Sequence, residues 1–159
     1  MKKEKEYSVI TESVEETQRL AEKVGTLMQP RDVLTLTGDL GAGKTSFTQG
    51  LARGLGIERV VNSPTFTIIK EYQGKLPLYH MDVYRMEDSF EDLGFDEYFY
   101  GEGVTVVEWP QMIQEQLPPD RCEITILRLD GDQREIAFLP IGARYEKLCE
   151  AIKNEYTGD

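Results

Sequence analysis

The chain has 159 residues, with 18 Lys and Arg against 29 Asp and Glu, for a formal net charge of −11. Phosphate backbones are gripped by clustered basic side chains, and here these are scattered, so the composition argues against the chain holding nucleic acid by itself; any RNA in its function is expected to be held by a partner. No apolar run of eighteen residues is present to span a membrane, and Cys122 and Cys149 have no C-x-x-C spacing, so neither a zinc site nor a disulfide framework is expected.

Length predicts one domain over residues 1–159, large enough to bury its own core. The opening residues Met1 to Glu6 lack the apolar stretch of a signal peptide, which with the unpaired cysteines predicts a cytoplasmic protein. Tyr7 to Ile10 reads as a short strand. Ser13-Val14-Glu15-Glu16 is a capping box, in which the Ser13 hydroxyl accepts from the Glu16 N–H and the Glu16 carboxylate reaches back. The helix it starts carries Thr17, Leu20, Ala21, Val24, Leu27 and Met28 as one stripe and stops before Pro30. That stripe reads as core packing, with Thr11 to Ser13 as a candidate edge for a nucleotide base.

Val33 to Thr37 is rich in apolar and β-branched residues and runs into Gly38-Asp39-Leu40-Gly41-Ala42-Gly43-Lys44-Thr45, a complete G-x-x-x-x-G-K-[ST] phosphate-binding loop. Polyphosphate concentrates negative charge, so its site needs several backbone N–H groups converging on one point. Gly41 and Gly43 permit that close approach. Lys44 supplies a positive charge for the β- and γ-phosphates and Thr45 a hydroxyl for Mg²⁺. Phe47, Leu51, Ala52 and Leu55 recur at helical spacing, so a helix begins here and aims its positive end at the anion.

Further along, Ser63-Pro64 signals a turn into a strand from Phe66 to Tyr72. This puts Thr65 in a loop, either as a γ-phosphate-sensing hydroxyl or as a turn residue bonded to its own backbone. Gly74 and Pro77 predict a hairpin leading to Leu78–Asp82, which ends with Asp82 at the carboxyl edge of a sheet, where ligands of α/β proteins collect. His80, the only histidine, reads as a packed or hydrogen-bonded side chain. Residues 87–103 interleave acids with aromatics, as short helices over an aromatic stripe would. Val104 to Val107 then forms a compact strand that delivers Glu108 and Trp109 at its end. In a chain with a phosphate loop, Glu108 stands where a metal ligand or water-orienting group belongs, so Asp82 and Glu108 compete for that role. Cys122 to Leu129 and Arg134 to Leu139 read as a hairpin around Asp130-Gly131-Asp132, and a last helix carries Tyr145, Leu148, Cys149, Ile152 and Tyr156 on one face.

Four blocks, G-D-L-G-A-G-K-T at 38–45, N-S-P-T-F at 62–66, H-M-D-V-Y-R at 80–85 and V-E-W-P at 107–110, resemble in order and spacing those of the bacterial TsaE family, the ATPase component of the machinery that makes threonylcarbamoyladenosine at position 37 of tRNA. The resemblance covers nearly the whole chain. It implies an α/β P-loop domain with a mixed, partly antiparallel sheet flanked by helices, ATP and Mg²⁺ as cofactors, slow hydrolysis, and TsaB and TsaD as partners, with tRNA reached only through them. Carried over by position, it assigns phosphate contacts to Gly41, Ala42, Gly43, Lys44, Thr45 and Ser46, and Mg²⁺ to Thr45 and Glu108. Thr65 then matches the switch-like threonine, Asp82 the Walker-B-like aspartate, and Trp109 lies beside the nucleotide. Two other readings share the phosphate loop: a small-metabolite kinase, although no arginine-rich lid is evident, and a nucleotide-gated binding module whose turnover is incidental. A GTPase would need an N-K-x-D motif, which is lacking.

Overall fold

The computed structural model describes residues 6–38, 43–58, 69–83 and 95–156. Among these, seven strands form one sheet: β1 (Tyr7–Thr11), β2 (Val33–Thr37), β3 (Ile69–Tyr72), β4 (Leu78–Asp82), β5 (Val104–Glu108), β6 (Arg121–Arg128) and β7 (Arg134–Ile141), in the order β1-β7-β6-β2-β5-β4-β3. β2 runs parallel to both β5 and β6, and β5 parallel to β4, while β1, β7 and β3 pair antiparallel with their neighbours. The expected mixed α/β sheet is therefore observed. Four parallel strands in its middle send β2, β4, β5 and β6 to the same carboxyl edge.

The helices are α1 (Val14–Thr26), α2 (Lys44–Gly54), α3 (Phe95–Phe99) and α4 (Ala143–Tyr156), with a 3-10 helix over Pro110–Gln116. α1, α2 and α4 cover one face of the sheet, where Leu20, Leu34, Leu36, Phe47, Leu51, Ile124, Phe138 and Ile152 are wholly buried. α3 and the 3-10 helix cover part of the other, burying Val33, Met81, Phe95, Phe99 and Val107. This second layer stops short of β1 and β6, and Ile10 and Leu127 are exposed.

α1 starts as expected: Ser13 is extended and its hydroxyl accepts from the Glu16 N–H at 3.1 Å. The Glu16 carboxylate reaches one residue further back than a capping box requires, accepting from the Glu12 N–H at 3.3 Å. β7 runs on through Pro140 to Ile141, beyond the expected end at Leu139. Pro140 is accommodated because β1 has already ended, its first residue Tyr7 pairing with Phe138. The two cysteines, far apart in sequence, meet where α4 packs on the sheet. Their thiols hydrogen-bond, and this bond together with burial pushes the Cys122 thiol up.

Two contacts fix the helices on the sheet. α1 and α2 touch backbone to backbone: a Cβ on Gly25 would run into the Leu51 carbonyl oxygen, one on Gly50 into that of Gln18, and one on Gly54 into that of Glu22. α4 is held by Arg144, whose guanidinium donates to both Asp32 oxygens at 2.9 and 2.6 Å and to the Leu27 carbonyl at 2.9 Å. Beside it the Tyr145 hydroxyl accepts from the Val33 N–H at 2.9 Å. Burial pushes the Tyr145 phenol up to about 12, outweighing the Val33 N–H, which favours the phenolate.

Two stability predictions follow from these contacts. In an open helix Gly→Ala gains up to about 1 kcal/mol, but at Gly54 the added methyl has only backbone to displace, so overpacking of about 1–3 kcal/mol is expected to win. Urea unfolding of Gly54→Ala checks the sign, and a stabilised variant would refute backbone contact. For Tyr145, a phenol whose pKa is raised on folding contributes stability that is complete below its unfolded value near 10 and is lost as pH rises through the folded value. The wild-type advantage over Tyr145→Phe is expected to fall by about 2 kcal/mol between pH 10 and 12, read from urea midpoints across that range.

Candidate nucleotide site

The phosphate loop leaves the central strand β2 at Thr37 and ends in α2, whose first residue is Lys44. Gly41 and Ala42 lie outside the described residues, as does Thr65. Gly43, at the loop's end, has φ 108°, a left-handed conformation that side chains resist, and it caps α2 without a side-chain bond. The N–H groups at a helix start point out of its end, where an anion can accept from them. Thr45 and Ser46, both half-buried, occupy that first turn.

The Lys44 side chain is buried, 8% exposed, and its Nζ stands 4.5 Å from the centroid of the Trp109 ring. A cation over an indole face is attracted by the ring quadrupole, contributing about 1 kcal/mol or more when shielded from water. Trp109 reaches this position through an unusual backbone. Its φ and ψ of 62° and 48° are left-handed for a bulky residue that precedes a proline, a conformation costing on the order of 1–3 kcal/mol. The turn ends β5 abruptly and brings the indole to the loop lysine.

Glu108 and Asp82 are register partners at the ends of adjacent parallel strands. Alternation along β4 and β5 puts Leu78, His80 and Asp82 on the same face as Val104, Val106 and Glu108, the face against which α2 packs. The two carboxylates that competed in the sequence reading are thus neighbours on the loop's side of the sheet. They differ in environment: Glu108 is 4% exposed and its Oε2 lies 2.7 Å from His80 Nε2, whereas Asp82 is half-buried. The expectation that His80 is a hydrogen-bonded side chain holds, and its partner is Glu108.

Arg134, which the sequence reading did not single out, is also here. Its Nε would lie 3.7 Å from a Cβ placed on Gly43, and its Nη1 donates to the Gly131 and Gln133 carbonyls at 2.8 and 3.0 Å. Nothing in its spacing marks it. It arrives because β6 parallels β2, so the β6–β7 turn overhangs the same edge. The candidate base edge is otherwise engaged: Thr11 is buried with its hydroxyl 2.6 Å from that of Thr17, and Ser13 serves as the α1 cap.

A divalent cation fits these residues if it is Mg²⁺. Among the described residues no three His, Cys, Asp or Glu side chains gather as an all-protein cage. Mg²⁺ does not need one, since it takes oxygen ligands from one or two carboxylates and phosphate and keeps several waters. The Thr45 hydroxyl and the Glu108 carboxylate are donors of that kind at one sheet edge.

The model of the family described as "Threonylcarbamoyl adenosine biosynthesis protein TsaE" matches residues 11–136, from β1 into β7. The chain belongs to the TsaE family. It is 62% identical over 143 residues to the tRNA threonylcarbamoyladenosine biosynthesis protein TsaE of Bacillus subtilis, covering 89% of this chain and 90% of the relative. The TsaE protein of Treponema pallidum is 43% identical over 129 residues, 80% of this chain and 96% of its own. The crystal structure of Bacillus subtilis YdiB superposes with a TM-score of 0.84 at 52% identity, over 94% of this chain and 95% of that one. The sequence resemblance to TsaE and the fold it implied are thus borne out. No helix among the described residues is long and apolar enough to cross a membrane.

The environments of the two carboxylates predict different phenotypes. Glu108→Gln keeps an oxygen for His80 but loses the charge, and is expected to raise the Mg²⁺ concentration needed for ATP binding at least tenfold. Asp82→Asn is expected to leave that titration within about threefold and to slow hydrolysis instead. Titrating Mg²⁺ against a fluorescent ATP analogue decides the matter, and the reverse pattern would exchange the roles.

Proposed function

We propose that the protein is the ATP-binding and slowly hydrolysing component of the machinery that installs threonylcarbamoyl on adenosine 37 of tRNA, acting with TsaB and TsaD. Family membership supports the pathway, and one observation carries the chemistry: the buried phosphate-loop lysine stands over the ring of Trp109, whose chain neighbour Glu108 is a buried carboxylate at the end of the strand beside β2.

In this reading the N–H groups at the start of α2 bind the phosphate oxygens. Lys44 exchanges its place against the Trp109 ring for the β- and γ-phosphates, where its charge offsets the negative charge that accumulates during transfer. Bound Mg²⁺ would neutralise phosphate charge, held by Thr45 and Glu108. Asp82, the less buried of the paired carboxylates, orients the attacking water in this reading. Thr65 is the candidate hydroxyl for sensing the γ-phosphate, and Gly41 through Ser46 form the cradle. Arg134 adds a cation beside the loop.

What the described residues lack is a second side chain committed to the transferring phosphoryl group: Arg134 is tied to its own turn by two carbonyls. Phosphoryl transfer needs that stabilisation and an ordered water as well as a cradle. The isolated protein is therefore expected to bind ATP but hydrolyse it slowly, with TsaB and TsaD completing the site. With a net charge of −11, tRNA alone is not expected to stimulate it.

Phosphate release should be measured for the protein alone, with TsaB and TsaD, and with tRNA alone, using Lys44→Ala as the blank. Stimulation of tenfold or more by the protein pair, surviving without RNA and absent in Lys44→Ala, is the expected result. A fast rate for the protein alone, stimulation only by tRNA, or a phosphorylated metabolite as product would overturn the reading, the last in favour of a kinase.

A further inference from the structure

His80 is the most costly residue in β4 that the chemistry above leaves without a role. It is wholly buried; among the described residues its Nδ1 has no hydrogen-bond partner, and its side chain's one polar contact there is Nε2 to Glu108 Oε2 at 2.7 Å. Burying an imidazole with one nitrogen unsatisfied costs free energy that an aliphatic residue would not incur, and the neighbouring Leu78 and Val106 show that aliphatic side chains pack on this face. The position is thus poorly explained by packing alone.

We propose that His80 is a positioning residue: its Nε2–H holds Glu108 Oε2 and turns the other carboxylate oxygen, Oε1, toward the divalent cation bound with ATP. This rests on the reading of Glu108 as a metal ligand.

Three observations carry it. A glutamate side chain has three rotatable bonds, and Glu108 stands at the last position of its strand, where the ladder constrains its backbone but not its carboxylate. Strand pairing supplies the constraint from next door. His80 pairs with Val106 and so lies on the same face, one step back from Glu108. The Val83 N–H also donates to the Glu108 carbonyl at 3.2 Å, which keeps the two strand ends together as far as the carboxylate itself. The choice of nitrogen fits as well. A proton on Nε2 makes the short bond and leaves Nδ1 as a bare acceptor, whereas a proton on Nδ1 would leave a buried N–H orphaned and point a lone pair at a carboxylate. Outer groups that orient a metal-binding carboxylate are worth about 10- to 100-fold in metal affinity.

His80 is the chain's only histidine, so in the untagged full chain its ring ¹⁵N signals are unambiguous. They are expected to report the Nε2–H tautomer. The Nδ1–H tautomer would overturn the proposal. In Mg²⁺ titrations with a fluorescent ATP analogue, His80→Leu is expected to raise the half-saturating Mg²⁺ concentration about tenfold while metal-free analogue affinity stays within twofold. His80→Gln, which offers an N–H at similar reach, should recover most of the loss, and His80→Leu should add nothing in a Glu108→Gln background. If His80→Leu does not fold, His80→Gln against His80→Asn, which is too short to reach, gives the same comparison. Equal weakening with and without metal, or no shift at all, would show a packing residue and overturn the proposal. A Glu108→Gln protein with wild-type Mg²⁺ dependence would overturn the metal reading of Glu108 and this inference with it. A shifted Glu108→Gln with a silent His80→Leu would overturn this inference alone.

Discussion

Backbone contact between α1 and α2 is the constraint on which the site depends. A phosphate cradle is made of main-chain N–H groups, so its position is that of the helix it opens, and α2 can be placed no better than its packing allows. Glycines at 25, 50 and 54 bring the two helix axes closer than side-chain packing would permit. α1 in turn is fixed to α4 and the sheet through the Asp32–Arg144 pair at its C-terminal connection. The start of α2 is thereby held over the end of β2 by contacts that involve no ligand-binding residue.

The sheet contributes the other half of the site by direction. Because β2, β4, β5 and β6 are parallel, their carboxyl ends deliver the loop, Asp82, Glu108 and the β6–β7 turn to one edge. A buried carboxylate, a buried lysine and a left-handed tryptophan are each costly to fold, and under the proposed function each is intelligible as preparation for a polyanion and its metal. The Trp109 ring faces the Lys44 charge, and His80 does the corresponding service for Glu108.

Much of this was legible in the chain. The glycine spacing and the Lys-Thr pair located the loop, the Ser13 cap and apolar stripe located α1, and the acid closing each short strand marked Asp82 and Glu108, because these signals are local. Features that depend on which strand lies beside which were not. Alternation marks His80 as facing the same way as Asp82 but cannot say that β5 is the neighbour, so its bond to Glu108 stayed hidden. Arg134 reaches Gly43 only because β6 parallels β2, across most of the chain. The left-handed Trp109 is equally unreadable, since a residue before proline is expected to be extended. Gly50 and Gly54 read as weak points in a helix until the carbonyls of α1 are seen against them.

The order of the strands also decides when the proposed site can be assembled. The motif lies in the first third of the chain, yet β2 has no neighbour from its own half: Val33 pairs with Thr105 and Leu34 with Val106 on one side and Cys122 on the other. Pairings this distant in sequence form slowly, because the loop between them must close first. On the ribosome, the phosphate loop emerges long before β5 and β6, and an N-terminal fragment containing the whole motif has an unpaired central strand and no Glu108. The proposed nucleotide site is therefore complete only in the nearly finished chain, and an N-terminal fragment would carry the motif without the strands and the carboxylate that complete it.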